Sequence, residues 1–550
     1  MDYKDLKLLD KETLKNVGNS MWMRKFEASH LKKDVLSVLL NEKNSNMAFG
    51  RRSKGRLENL KNNPESYTPN YQELYETLLK YTDSLSPQQA YAMSVLLGPD
   101  SAQGYEEIPS KADLKFPGAD APQFEYQVGW HFFVGSCWDV KGEEYGVEFM
   151  FWQHSLLPPS MAWDLGLSIL DNQILELHLG ISKAGDKHYR TRPIVIAGTT
   201  GLINFEGHPF QYHMGKNYIK SLDQYQLFPL EIKSWGIDLG FKDPVELEIN
   251  LFLDKNKDYI LQGKNGCSPC CGGVGTLYYS VPSLNLDHEL SHLRIGDEEV
   301  QLEKGKFWYD HQWGTGFLPS GSPRRPVLRA ANNLAEPPVG GWDWFMAQFD
   351  NNHELTFYAL HSPDKTGFYQ QTGPQPPGML EVKVGGKYVT PDNLVKDVKG
   401  TLNIDRWVKS DRSQDPELYP VTNTWYPDRW HLRFEEDVPS QIREFNMTPI
   451  VEGGQSGYFA TGLQYSEGAV YLKNPDGKLI GRGFAESTNY ADTMFNVLRL
   501  AGLPATDEIL QKVKRKNPSQ ILKLKSFLYL NWPSNKKKLK KLLVPCLEGL

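Results

Sequence analysis

The stretch Phe307-Trp308-Tyr309-Asp310-His311-Gln312-Trp313-Gly314 sets a carboxylic acid beside a histidine and encloses both in four aromatic residues. A carboxyl group packed among aromatics loses hydration, so its pKa rises and it can stay protonated at neutral pH. Such an acid can protonate an alkene, and nearby aromatic faces can stabilise the resulting carbocation. On a strand, Trp308, Asp310 and Gln312 share one face while Tyr309, His311 and Trp313 share the other. Asp310 and His311 therefore enter one pocket only if the strand is bulged. The candidate catalytic set is Asp310 as proton donor with Tyr309 and His311 beside it. His311 or Gln312 would position water, and Trp308, Tyr309 and Trp313 would shape the pocket. The competing reading is a seam between domains in which Asp310 is simply held in hydrogen bonds.

Two other clusters have chemical potential. His288-Glu289-Leu290-Ser291-His292 is formally HExxH, which binds zinc only when both histidines lie on one face of a helix. Here Gly296-Asp297 reads as a turn between two short strands, so a helix would have to end almost at once. On a strand the two histidines would stand ~13 Å apart, too far for one metal. A zinc protease is thus the minor alternative, and no metal is expected. Cys267, Cys270 and Cys271 offer three close thiols without a fourth ligand of suitable context and read as an ordinary loop. Glu467 and Glu486 sit in aromatic, glycine-rich strands, where a buried Glu is often a structural acceptor.

These residues need strands to hold them. From Phe124 the apolar period becomes two, with Phe124, Tyr126 and Val128 followed by Tyr145, Val147, Phe149 and Phe151, and later by Val245, Leu247, Ile249 and Leu251. Turn signals at Gly385-Gly386 and Asn474-Pro475-Asp476-Gly477 separate further strands up to about residue 490. A faint repeat adds that Gly129-Trp130-His131-Phe132-Phe133 and Gly341-Trp342-Asp343-Trp344-Phe345 each open an aromatic hairpin. Residues 1–98 read instead as helices, with Ser86 capping a helix that begins at Pro87. From Lys512 to Lys541 there are eleven Lys or Arg and no Asp or Glu, interleaved with apolar residues. Such a basic amphipathic segment either packs back on the body or rests on an anionic membrane surface.

The 550 residues exceed one ordinary domain, and a 40% hydrophobic, 23% charged composition is globular. A net charge of −6 gives no reason to expect nucleic acid as a partner. No apolar run approaches the ~18 residues of a membrane span. The first residues lack a signal-peptide pattern and five cysteines are too few for a disulfide framework, so a cytoplasmic location is expected, with possible peripheral membrane contact through 512–541.

The ordered set of motifs resembles the carotenoid 1,2-hydratase (hydroxyneurosporene synthase), kievitone hydratase and AttH-like family. The Trp308–Gly314 stretch carries its hallmark. Trp130-His131-Phe132-Phe133 with Tyr145–Phe149 matches its opening hairpin, and Tyr278-Tyr279-Ser280 and Gly341–Phe345 its middle. Tyr426-Pro427 with Trp430, Tyr465–Val470 and Gly481–Glu486 match its closing part, so the likeness spans roughly residues 120–490. It implies two lipocalin-like barrels and a lipophilic substrate held near their junction. It also implies that Asp310 corresponds to the acid that protonates an isoprenoid double bond before water quenches the cation. The aromatic hydroxyl of that pattern would fall on Trp308, which has none. The supporting His and Trp of a preceding strand are replaced by Tyr278-Tyr279-Ser280-Val281.

The expected fold is mainly β. A helical extension (1–98) precedes two tandem lipocalin-like antiparallel barrels (120–325 and 326–495), and a basic helical tail (496–550) follows. The expected function is cofactor-free, acid-assisted hydration, isomerisation or cyclisation of a lipophilic polyene, terpenoid or polyketide. Substrate contacts would come from Trp308, Gln312, Trp313, Trp130, Tyr279, Trp342, Trp344, Glu467 and Glu486. The alternative is a carrier that binds a hydrophobic ligand unchanged.

Overall fold

The computed structural model describes residues 105–488 apart from internal stretches, the longest being 316–340, 362–380 and 410–424. The expected N-terminal helices, the basic tail, Cys270 and Cys271 lie outside the described residues. A 3-10 turn at Gly118–Asp120 precedes the strands. The first body opens with β1 (Val128–Asp139), β2 (Glu144–Ser155), β3 (Gln173–Lys183) and β4 (Arg190–Ala197). Short strands follow as β5 (Ile203–Gly207), β6 (Phe210–Met214) and β7 (Asn217–Ser221), then β8 (Leu230–Asp238) and β9 (Val245–Lys255). It ends with β10 (Ile260–Leu261), β11 (Cys267–Ser268), β12 (Thr276–Leu286), β13 (His292–Ile295) and β14 (Glu298–Gly314). The second body comprises β15 (Gly341–Phe349), β16 (Glu354–His361), β17 (Glu381–Val389), β18 (Val395–Lys409) and β19 (Trp425–Phe434). Its last strands are β20 (Glu444–Pro449), β21 (Ser456–Tyr458), β22 (Gln464–Lys473) and β23 (Leu479–Thr488).

Two antiparallel sheets result. In the first, of 14 strands, β13 pairs with both β14 and β9 and so closes a ring of four with β12. In the second, of nine strands, β15 pairs with β23 and β20 with β22, closing an eight-stranded barrel. Closure leaves no free edge among the ring strands, so their backbone groups are paired.

Alternation places the cores. Phe133, Phe149, Phe151, Tyr279, Tyr309 and Trp313 point into the first body, and Phe345, Phe357, Trp430 and Phe445 into the second. The intervening residues of the facing strands form a third core, joining Trp130, Phe132, Trp152 and Trp308 to Trp344, Met346, Tyr465 and Phe484. Strands β1 and β2 are thus buried on both faces, which explains their continuous apolar character. At this seam Gln348 donates from β15 to the carbonyls of Pro282 and Phe307, at 2.9 and 3.0 Å. These carbonyls lie where the β12–β14 register shifts between Val281 and Leu284.

His288, Glu289 and Leu290 form an exposed turn and His292 begins β13, so the HExxH spacing is not helical. That geometry overturns the zinc-protease alternative, because its two histidines do not share a helix face. No group of three metal-ligating side chains converges among the described residues. No helix among them is long and apolar enough to cross a membrane.

Candidate active site

Asp310 sits near the C-terminal end of β14, paired with Phe132 on β1 and Ser280 on β12. The β1–β14 register runs unbroken from Val128 to Trp138, so strict alternation holds and Asp310 faces the seam. Three side chains donate to its carboxyl. Tyr278 Oη lies 2.6 Å from Oδ2, Trp308 Nε1 lies 2.6 Å from Oδ1, and the Ser280 hydroxyl also reaches Oδ1. Tyr278 in turn accepts from Trp344 Nε1 of the second barrel at 3.0 Å, and Ser280 accepts from Gln262 Nε2 at 2.8 Å. Burial pushes the Asp310 pKa up to about 7, against the opposing effect of the three donors. An acid in this state keeps a usable proton near neutrality, while its conjugate base finds three donors already aimed at it.

Beside Asp310 a small, partly open pocket lies between the two bodies. Trp130, Phe132, Trp152, Tyr278 and Gln312 line it from the first body, and Trp342, Trp344, Tyr358 and Glu486 from the second. Trp130 and Trp152 stack with ring centroids 4.6 Å apart. The repeated Trp motifs thus open corresponding strands, β1 and β15, and both meet at this pocket. Glu486 lies on β23 opposite Trp344, and its carboxyl accepts from the Trp342 indole.

Several expected residues do not join it. Tyr309 and His311, expected beside Asp310, face the interior of the first barrel because β14 is not bulged there. Tyr309 Oη is 2.9 Å from His131 Nδ1, and His311 stacks on His131 with centroids 3.9 Å apart. Burial holds both histidines neutral, His311 at about 4. Trp313 shares that interior, as does Tyr279, whose hydroxyl donates to Asp120 at 2.5 Å. Burial pushes Asp120 up to about 7. Trp308 touches the site only through its bond to Asp310. Glu467 lies behind the wall, paired in register with Glu486 and hydrogen-bonded to Glu148 of the first barrel. Around these two, the Tyr189 hydroxyl donates to Glu148, and Tyr465 Oη lies 3.1 Å from His178 Nδ1.

Tyr278, Ser280, Trp152 and Tyr358 were not expected at the site. Tyr278 carried a signal, since alternation permits only one of Tyr278 and Tyr279 to share the face of Asp310. Choosing between them needs the β12–β14 register. The hydroxyl expected two residues before the acid comes instead from this neighbouring strand.

The AttH-like family model matches residues 107–378. Among solved structures, an AttH protein from Nitrosomonas europaea aligns with TM-score 0.50 at 17% identity, over 70% of this chain and 100% of its own. Kievitone hydratase from Nectria haematococca aligns with TM-score 0.43 at 13% identity, over 72% of this chain and 99% of its own. No curated protein sequence matches the chain.

Proposed function

We propose, from the match of residues 107–378 to the AttH-like family model, a cofactor-independent hydratase acting on a lipophilic alkene of polyene, terpenoid or polyketide type. The observation that carries this reading is Asp310, a buried carboxyl with a raised pKa at the wall of an aromatic pocket. The pocket wall favours an apolar guest, and its indoles offer π faces to a developing cation. Asp310 transfers its proton to one alkene carbon, and Tyr278, Ser280 and Trp308 stabilise the carboxylate left behind. Water then adds to the cation. If the cation instead loses a proton or is captured by a second double bond, the same acid gives isomerisation or cyclisation.

The test is incubation of purified protein with isoprenoid alkenes bearing trisubstituted double bonds, with mass spectrometry reading the gain of one water. Asp310→Asn keeps the side-chain shape and one of the two acceptor oxygens and removes the transferable proton. It is expected to abolish turnover while circular dichroism and melting stay near wild type. An Asn variant with full activity would overturn the assignment. Recovery of a bound ligand that the wild-type protein never alters would favour the carrier reading.

A further inference from the structure

Asp310 is not the only carboxyl in the pocket. Glu486 faces the same space from β23 of the second barrel, so the two acids stand on walls contributed by different barrels. Its side chain is only partly covered, whereas Glu467 behind it is fully buried. Hydration by protonation needs two proton movements: one onto carbon, and one off the attacking water. The residues gathered around Asp310 supply donors, and those groups do not remove a proton from water.

We propose that Glu486 is the second catalytic group, taking the proton of the water that attacks the cation generated by Asp310. This rests on the reading of Asp310 as proton donor. The balance is complete without a co-reactant. The Asp310 O–H bond breaks as the alkene π pair forms the new C–H bond. A water lone pair forms the C–O bond, and one water O–H breaks as its proton moves to the Glu486 carboxylate. With product gone, that proton returns to Asp310 through water in the emptied pocket.

The surroundings suit a shared proton. Burial pushes Glu486 up to about 8, and the negative charges of Glu148, Asp310 and Asp343 add to the rise, against the hydrogen bond from Trp342. The groups facing it are Asp310 from β14, Glu148 from β2, Asp343 and Trp344 from β15, and Glu467 from β22. Glu486 holds its proton somewhat more tightly than Asp310, so a single proton between them rests mainly on Glu486, and the reacting form, with the proton on Asp310 and Glu486 ionised, is the minor one of the two.

Infrared titration of the full chain tests the pairing without any substrate. In difference spectra against Asp310→Asn and Glu486→Gln, the protonated-carboxyl absorption that belongs to these two groups is expected to be lost between about pH 6 and 9, and Asp310→Asn should lower the midpoint of Glu486 by about one unit. Glu486→Gln should do the same to Asp310, and unchanged midpoints in both variants would overturn the pairing. With an alkene that the wild type hydrates, Glu486→Gln should lower kcat ~100-fold or more with little change in KM. It should also erase the acid limb of the pH profile, and Glu486→Asp should restore part of the rate. A Gln variant with wild-type kcat and an intact acid limb would refute the role. A wild type that hydrates no alkene while the titration is paired would sink the hydratase reading and leave the carboxyl pair standing.

Discussion

Tyr278, Ser280 and Trp308 all favour the ionised form of Asp310, so each opposes the effect of burial. Tyr278→Phe is therefore expected to raise the Asp310 pKa further, moving the alkaline limb of activity up by roughly one unit. A pH–rate profile or the infrared midpoint checks it, and a downward shift would contradict the donor role. Asp310 itself was legible in the sequence because an acid among four aromatics has few other uses. Its donors were not, since Tyr278 and Tyr279 are identical in type and only strand pairing separates them. The neighbours chosen by proximity in sequence, Tyr309 and His311, are those that alternation removes. Glu486 was legible only as an aromatic-flanked carboxylate, because its facing partner lies 176 positions earlier and in another barrel.

At the scale of elements, the site depends on β14 lying close against β1. Gly135 makes that approach possible, since a Cβ there would stand 2.4 Å from the Lys306 carbonyl oxygen and 2.6 Å from Phe307 Cγ. Gly135→Ala is expected to force the strands apart and to destabilise the protein by about 1–3 kcal/mol, read by chemical denaturation. The period-two pattern made strands β2 and β9 visible from sequence, whereas the alternation of Phe124, Tyr126 and Val128 precedes β1, which begins only at Val128. The pairing order was not visible. β1 lies between β2 and β14, which are remote in sequence, and a local pattern carries no information on such closure. The HExxH spacing misleads for the same reason, as its meaning depends on a helix that the β9–β13–β14 pairing forbids.

Across the whole molecule, the barrels are locked by charge as well as by the apolar seam. Glu354 on β16 is fully buried and accepts from Lys257 and from Lys306, the latter at 2.8 Å. Lys257 also donates to the carbonyls of Asn352 and Thr390, each at 2.8 Å. Glu354→Ala leaves a buried ammonium unpaired and is expected to cost ~3–5 kcal/mol, with both barrels melting together in one calorimetric transition. The raised carboxyls set the pH dependence of folding. Asp120 and Asp310 have folded pKa values of about 7, above their ordinary 3.8, so between these values the folded state binds more protons than the unfolded. Stability therefore falls as pH rises through that window and stays low above it. Melting temperature should decline from pH 5 to pH 8, and Asp120→Asn should flatten the decline by on the order of 2 kcal/mol. The pocket's two walls have a last consequence. The first barrel carries Asp310 and its donors, while the second presents Trp342, Trp344 and Tyr358. Reaction and ligand preference are thus only partly separable: descendants, or a protein engineer, can rewrite Tyr358 for new guests, whereas Trp344, which donates to Tyr278, and Trp342, which donates to Glu486, must pass on with the two acids.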